Sequence, residues 1–368
     1  MDLNQLKTVP FHIKLATVLF SLVTLCYITI IAKEILSPLI FSCLFSILLL
    51  PLASFLERKV RLPRSAASMI SILSLLGCIA LILYVVGSQL SDLGNDWPQF
   101  QQQLLKTLDT LQNWVANTFH VNATKQLTYV HSATSKMMAS GTTVIGATIL
   151  SLSSLLLFFV FTFIYTFFFL LYRKLIMKFL LSVFLDENSN IVHDIIEKVQ
   201  HMIRKYIIGL LIEMAIVSTV VCLVFWLLGI KYAILLGLLT GLFNIIPYIG
   251  IFSALVISSL VTFATATTVS KVILVIVTLV VTHLVDSNVL LPVVVGSKVR
   301  INALVTVLGV IIGEMIWGIP GMFLSIPVIA VLKIIFDRVD GLKPWGIILG
   351  DEDYKQSKLA TKLETRKK

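Results

Sequence analysis

The sequence predicts an all-α polytopic helical membrane protein, with about eight membrane segments and two Pro/Gly-broken hairpins in its C-terminal half. Three observations predict it. Of the 368 residues, 58% are hydrophobic and 13% charged, against roughly 45–50% apolar and 25% charged in a soluble domain. The apolar residues fall in long uncharged runs. Two of these runs exceed what one span can use, and each carries proline and glycine near its middle. In a soluble chain the net charge of +10 would suggest nucleic acid. Here the placement of Lys and Arg around the spans accounts for it, and no nucleic-acid partner is expected.

Leu15–Ala32 is the first span. It follows Lys7 and Lys14, as the apolar part of a signal peptide would. It ends at Ala32-Lys33-Glu34 without a small-x-small cleavage pattern, so it reads as an anchor that stays. Ile35–Leu56 runs 22 residues without a charge, and Ser65–Ser91 is the third span. Met137–Tyr172 is uncharged for 36 residues, about 54 Å of helix. A hydrocarbon core is only about 30 Å thick, so part of this run should project.

Ile207–Gly229 is the fifth span and holds one charge, Glu213. Tyr232–Ser270 then gives 39 uncharged residues, about 58 Å if helical. Asn244–Gly250, within FNIIPYIG, divides that run into two short pieces. Val272–Pro292 is a further span with His283, Asp286 and Asn288 near its end. Ile301–Leu332 contains one charge, Glu314, and is divided by WGIPG, Trp317 to Gly321.

The basic residues orient the spans. Lys7 and Lys14, Arg58 to Arg64, residues 173–205, Lys298 with Arg300, and residues 333–368 hold 23 of the 29 Lys and Arg. With the N-terminus cytoplasmic, all of these segments face the cytoplasm, provided each divided run enters and leaves by one face. Each divided run should therefore be a hairpin, Tyr232–Ser270 dipping from outside and Ile301–Leu332 from the cytoplasm. Both termini are expected to be cytoplasmic.

Residues 92–136 would lie outside. Leu104, Leu105, Leu108, Leu111, Trp114 and Val115 recur there at helical spacing, which suits an amphipathic cap or a ligand-binding lid. Residues 186–206 carry an apolar stripe of Ile191, Ile195, Val199, Met202 and Ile203, an interfacial helix leading into the fifth span. His193, Glu197 and His201 share a face of it, but two histidines without a third strong ligand do not make a metal site. No metal or cofactor is expected. Cys26, Cys43, Cys78 and Cys222 all lie in apolar runs without a CxxC pair and read as small core residues.

Candidate functional residues follow from cost. A broken helix frees N–H and C=O groups that hydrocarbon cannot satisfy, so breaks survive against protein or a water-filled cavity. Transporters place binding sites at such breaks. Asn244, Pro247, Tyr248 and Gly250 would shape one half of a pathway, Gly318, Pro320 and Gly321 the other, with Asn288 and Pro292 beside them. A packing kink is the plainer alternative for either break. Glu213 lies about 10 Å into its span, where a charge costs about 2.5–3.5 kcal/mol. It must be partnered, cavity-facing or protonated. His283 and Asp286 are three apart and share a helix face. They could relay protons, bind a cation, or form a structural pair near the interface. Glu314 has the same ambiguity. HExxH, GxSxG, GxxxxGK[ST] and GxGxxG are all absent. No enzyme activity is expected, and an ATP-driven pump in this chain is disfavoured.

The stretch GLFNIIPYIGIFSAL, followed by SNVLLPVVVGSKVRINALVTVLGVIIGEMIWGIPGMFLSIPVIAVLKII, resembles the autoinducer-2 exporter family of bacterial membrane proteins. The markers are Asn244-x-x-Pro247-Tyr248-x-Gly250, Asn288-x-x-x-Pro292-x-x-x-Gly296, Gly313, Gly318-x-x-Gly321 and Pro327. The resemblance implies a multi-pass bacterial inner-membrane protein. Members are associated with autoinducer-2 export in quorum sensing, others with sodium/proton antiport. This sequence departs from the family where Ile301-Asn302-Ala303 replaces a frequent Leu-His-Pro, and where Gly313-Glu314 replaces a common Gly-Gly.

The resulting expectation is a secondary transporter. It would export a small polar, autoinducer-2-like molecule coupled to or alongside an ion gradient, with Glu213, His283, Asp286 and Glu314 as ion-coupling candidates. A Na⁺(Li⁺)/H⁺ antiporter and a non-transport scaffold are the alternatives. Its partners would be a small-molecule or ion substrate and the lipid bilayer, and the apolar surface allows a homo-oligomer. The chain divides into three N-terminal spans (1–91), an outside helical segment (92–140), the long fourth span (141–172), a cytoplasmic amphipathic segment (173–206), a transport core (207–336) and a basic cytoplasmic tail (337–368).

Overall fold

The computed structural model describes residues 10–95, 154–183, 189–246, 249–266, 268–295 and 301–350. Twelve helices are traced there: α1 (Phe11–Ile31), α2 (Lys33–Arg58), α3 (Arg64–Asn95), α4 (Ser154–Leu171), α5 (Arg173–Val183), α6 (Ser189–Leu227), α7 (Ala233–Phe243), α8 (Ile249–Thr265), α9 (Val269–Val285), α10 (Ala303–Trp317), α11 (Ile319–Phe336) and α12 (Lys343–Leu349). A π-helical stretch, Asp286–Val295, continues α9. Among the described residues, 7 helices are long and apolar enough to cross a membrane. The protein is an all-α multi-pass membrane protein, as its composition requires.

Both divided runs are broken where the sequence places the breaks. Helix α7 stops at Phe243 and α8 begins at Ile249; α10 stops at Trp317 and α11 begins at Ile319. At 11 residues, α7 is about 17 Å long and cannot cross a membrane core. Gly318, with φ +66°, turns the chain between α10 and α11 in a conformation that side chains resist. Pro320 follows in the first turn of α11, where its missing N–H has no helical partner to lose.

Three features add to the sequence reading. The amphipathic segment and the fifth span form one helix, α6, of 39 residues. Nothing between Ser189 and Leu227 interrupts it, since Gly209 alone costs only about 1 kcal/mol. Ala32 alone joins α1 to α2, whereas helix–helix reversals take roughly 2–8 residues. Residues 340–349, read as tail, form a short 3₁₀ turn and α12. That helix returns to the hairpin: Lys333 Nζ donates to the Gly346 carbonyl at 3.2 Å, and the Asn302 N–H to the Leu349 carbonyl at 3.1 Å. The outside segment and the start of the long fourth span lie outside the described residues.

The chain forms two compact units. One comprises Met1–Ser46, Phe158–Ile196 and Arg300–Lys368, and holds α1, the start of α2, and α10 to α12. Within it, Phe41 stacks on Phe323 at 5.4 Å and meets Phe158 edge-on. The other comprises Ile47–Leu157 and Glu197–Val299. Its core gathers Val217, Val221 and Phe225 of α6, Leu236 of α7, Val261 of α8, and Val275 and Leu279 of α9.

Candidate functional site

In the second unit, α6 buries one stripe, Tyr206, Leu210, Glu213, Val217, Val221 and Phe225. Glu213 thus occupies an apolar position at 2% exposure. Helix α7 reaches it through close contacts between small residues. A Cβ on Gly237 would stand 2.6 Å from the Cys222 nitrogen, and one on Gly241 would stand 2.6 Å from the Met214 carbonyl oxygen. Four residues forward along α7, from Gly237 to Gly241, answer to four backward along α6, from Cys222 to Ser218, whose Cβ would lie 3.1 Å from a Cβ on Gly241. Small residues let membrane helices approach in this way. The next turn of α7 brings Asn244 to Glu213.

The α6–α7 turn holds that register. Gly229, at φ +63°, ends α6, with its N–H on the Trp226 carbonyl and the Ile230 N–H on the Phe225 carbonyl. This is the glycine-closed helix terminus that satisfies otherwise free carbonyls. Lys271 Nζ donates to the Gly229 carbonyl at 2.7 Å, which ties the start of α9 to the same turn.

Asn244 sits at the end of α7, at the break itself. Its Nδ2 donates to Glu213 Oε1 at 3.0 Å and to Asp286 Oδ2 at 2.9 Å. One amide thus bridges carboxylates from two membrane-spanning helices. Asp286, 5% exposed, stands where α9 widens into the π-helical stretch. Such widening is frequent at functional sites, and Pro292 gives a cause by withholding a backbone donor. The other oxygens, Glu213 Oε2 and Asp286 Oδ1, are buried with no hydrogen-bond partner among the described residues. Gly250 lets α8 start directly against the break, since a Cβ there would meet the Phe243 carbonyl group.

The structure joins three of the predicted residues, Glu213, Asn244 and Asp286, and sets Gly250 against the same break; the others stand outside that cluster or are not described. His283 is half-buried one turn before Asp286, and its Nδ1 has no partner among the described residues. The exposed Asn288 spends its amide on the Leu284 carbonyl, 2.7 Å away on its own helix. Glu314, Gly318, Pro320 and Gly321 belong to the other unit, and Glu314 is exposed. Pro247, Tyr248 and Gly296 lie outside the described residues, as does the Pro292 side chain. Among the described residues, no group of three His, Cys, Asp or Glu could hold a metal. Gly237 and Gly241 are the positioning residues that cost and charge did not reveal; their small-xxx-small spacing was the available signal.

Broken spans that meet buried carboxylates are the build of a membrane transporter. A family profile described as "AI-2E family transporter" matches residues 18–341. The chain belongs to that family. It is 36% identical over 110 residues to a Bacillus subtilis (strain 168) protein named "Putative transport protein YrrI", covering 30% of this chain and 31% of that protein. It is 34% identical over 108 residues to "Putative transport protein YueF" of the same organism, covering 29% of each. The matches span about a third of the length of these curated relatives.

Proposed function

We propose that the protein is a secondary transporter that exports a small polar molecule of autoinducer-2 type, coupled to a cation or proton at Glu213 and Asp286. The shared amide carries this reading: Asn244 holds both acids, and each keeps one buried oxygen unpartnered. Two carboxylates buried together gain from one added positive charge, whether a proton or a monovalent cation. Uptake of that charge would weaken the hold of the carboxylates on the Asn244 amide. Because Asn244 ends α7, the coupling group and the break would respond together. The non-helical residues 244–246 are the proposed contact with the exported molecule.

A Na⁺(Li⁺)/H⁺ antiporter is the second reading, favoured by the fact that the site's two unpartnered oxygens are both acidic. The proposed location is a bacterial inner membrane, with the basic segments 173–205 and 333–368 on the cytoplasmic side.

Proteoliposomes with the purified chain decide between the readings. The exporter reading expects counterflow of a labelled polyol-like solute that depends on an ion gradient. The antiporter reading expects Na⁺ or Li⁺ to dissipate a preset pH gradient with no solute present. Neither response would leave only a non-transport role.

A further inference from the structure

The first unit contains a cavity of about 340 Å³ beside the second broken hairpin. Helices α1, α2, α10 and α11 wall it, through Ile40, Ile312, Ile316, Leu324, Val328 and Ile329 among others. The polar groups of its lining are already engaged. Trp317 Nε1 donates to the Thr29 carbonyl at 3.0 Å, the Thr29 hydroxyl to the Leu25 carbonyl at 2.7 Å, and the Ser325 hydroxyl to the Met322 carbonyl at 2.7 Å. A polyol entering here would exchange water for carbon without gaining partners, at a cost of roughly 1–3 kcal/mol per hydroxyl.

Apolar linings accept apolar guests; an enclosed cavity of about 150 Å³ takes up benzene or xenon. The medium beside the cavity supplies such a guest. Helix α1, which forms one wall, buries 0% of its membrane window inside the protein. In a bilayer its surroundings are hydrocarbon. Glycines set the cavity against α10 and α11: Gly309, Gly313 and Gly321 all line it, and these helices touch so closely that a Cβ on Gly313 would stand 2.7 Å from the Gly321 carbonyl carbon. The helix pair is closed behind the cavity at Gly313 and Gly321.

We propose that this cavity is a binding site for the acyl chain of a membrane phospholipid, seated against the α10–α11 hairpin. The site is separate from the Glu213–Asn244–Asp286 cluster and discriminates against polar solutes. Trp317, as part of the lining, reports its occupancy.

The test uses the full chain with Trp97, Trp114, Trp226 and Trp345 replaced by Phe, leaving Trp317 as the one indole. The protein is reconstituted in phosphatidylcholine vesicles with a rising fraction of chain-brominated lipid. Trp317 quenching should saturate at a lower brominated fraction than that of a reciprocal variant keeping only the exposed Trp226. Ser325→Phe, which fills the cavity, should cut the quenching at least twofold. Val328→Phe, at an exposed lining position, should do the same if Ser325→Phe fails to fold. The proposal is overturned if Trp317 is not quenched in fully brominated vesicles. Unchanged quenching in a folded filling variant, or relief of quenching by a soluble polyol, would also overturn it.

Discussion

Asn244 and Asp286, 42 residues apart, are joined by a 2.9 Å hydrogen bond from the amide of one to the carboxylate of the other. The same nitrogen reaches Glu213 at 3.0 Å. The break in the first divided run is therefore more than an interruption: its first residue holds two buried acids. Asn244→Ala removes two hydrogen bonds to carboxylates, worth about 1.5–3 kcal/mol each. Thermal unfolding in detergent should show a clear loss of stability, and vesicle transport should fall at least tenfold.

Helix α7 reaches the acids because glycine permits contact with α6. Gly241→Ala should force the helices apart, since its Cβ would stand 2.6 Å from the Met214 carbonyl oxygen. Transport should fall although no polar group is lost. Gly77→Ala in α3, where nothing lies within 4 Å, is the control and should behave as the parent.

The second hairpin makes a graded prediction. Gly318→Ala places a side chain at φ +66°, ψ −141° in open space and should cost about 1–3 kcal/mol through backbone conformation alone. Gly321→Ala would drive a Cβ into Gly313, 2.6 Å from its carbonyl carbon, and should cost more. Unfolding midpoints of the two variants give the order.

Protons and metal cations should compete at the acids. A proton bound at the acid pair cancels negative charge that would otherwise attract Na⁺. Under the antiporter reading, the Na⁺ concentration for half-maximal flux should therefore rise at acid pH. In Glu213→Gln this dependence should flatten, because one of the competing groups no longer titrates.

Arg338 pairs with Asp194 at 2.6 Å, yet their side chains are 21% and 45% exposed. A pair that open to solvent is worth about 0–1 kcal/mol. Arg338→Ala should shift the unfolding midpoint by little, as a denaturation series would show.

Much of this was legible in the sequence, for definite reasons. The breaks at Asn244 and Gly318 follow from length, because 39 and 32 residues overfill one span. Glu213 and Asp286 stand out through the cost of a carboxylate in hydrocarbon. Their meeting does not follow from the sequence, since it depends on register across 31 and 42 residues. That register rests on Gly237 and Gly241, whose spacing is visible in the chain while their partners Cys222 and Met214 are not. Glu314 and His283 are likewise ionisable residues in apolar runs, yet Glu314 is exposed and His283 stands one turn from the pair. Residue type states the cost of burial; packing decides which residues incur it.

Glu213 and Asp286 are proposed to carry the coupling charge. Ion-driven flux in proteoliposomes, measured for the parent, Glu213→Gln and Asp286→Asn at matched protein density, tests it most directly. Each neutral variant should lose at least nine-tenths of the gradient-dependent flux while remaining folded and monodisperse. Both variants transporting at the parent rate, with unchanged dependence on the ion gradient, would contradict it.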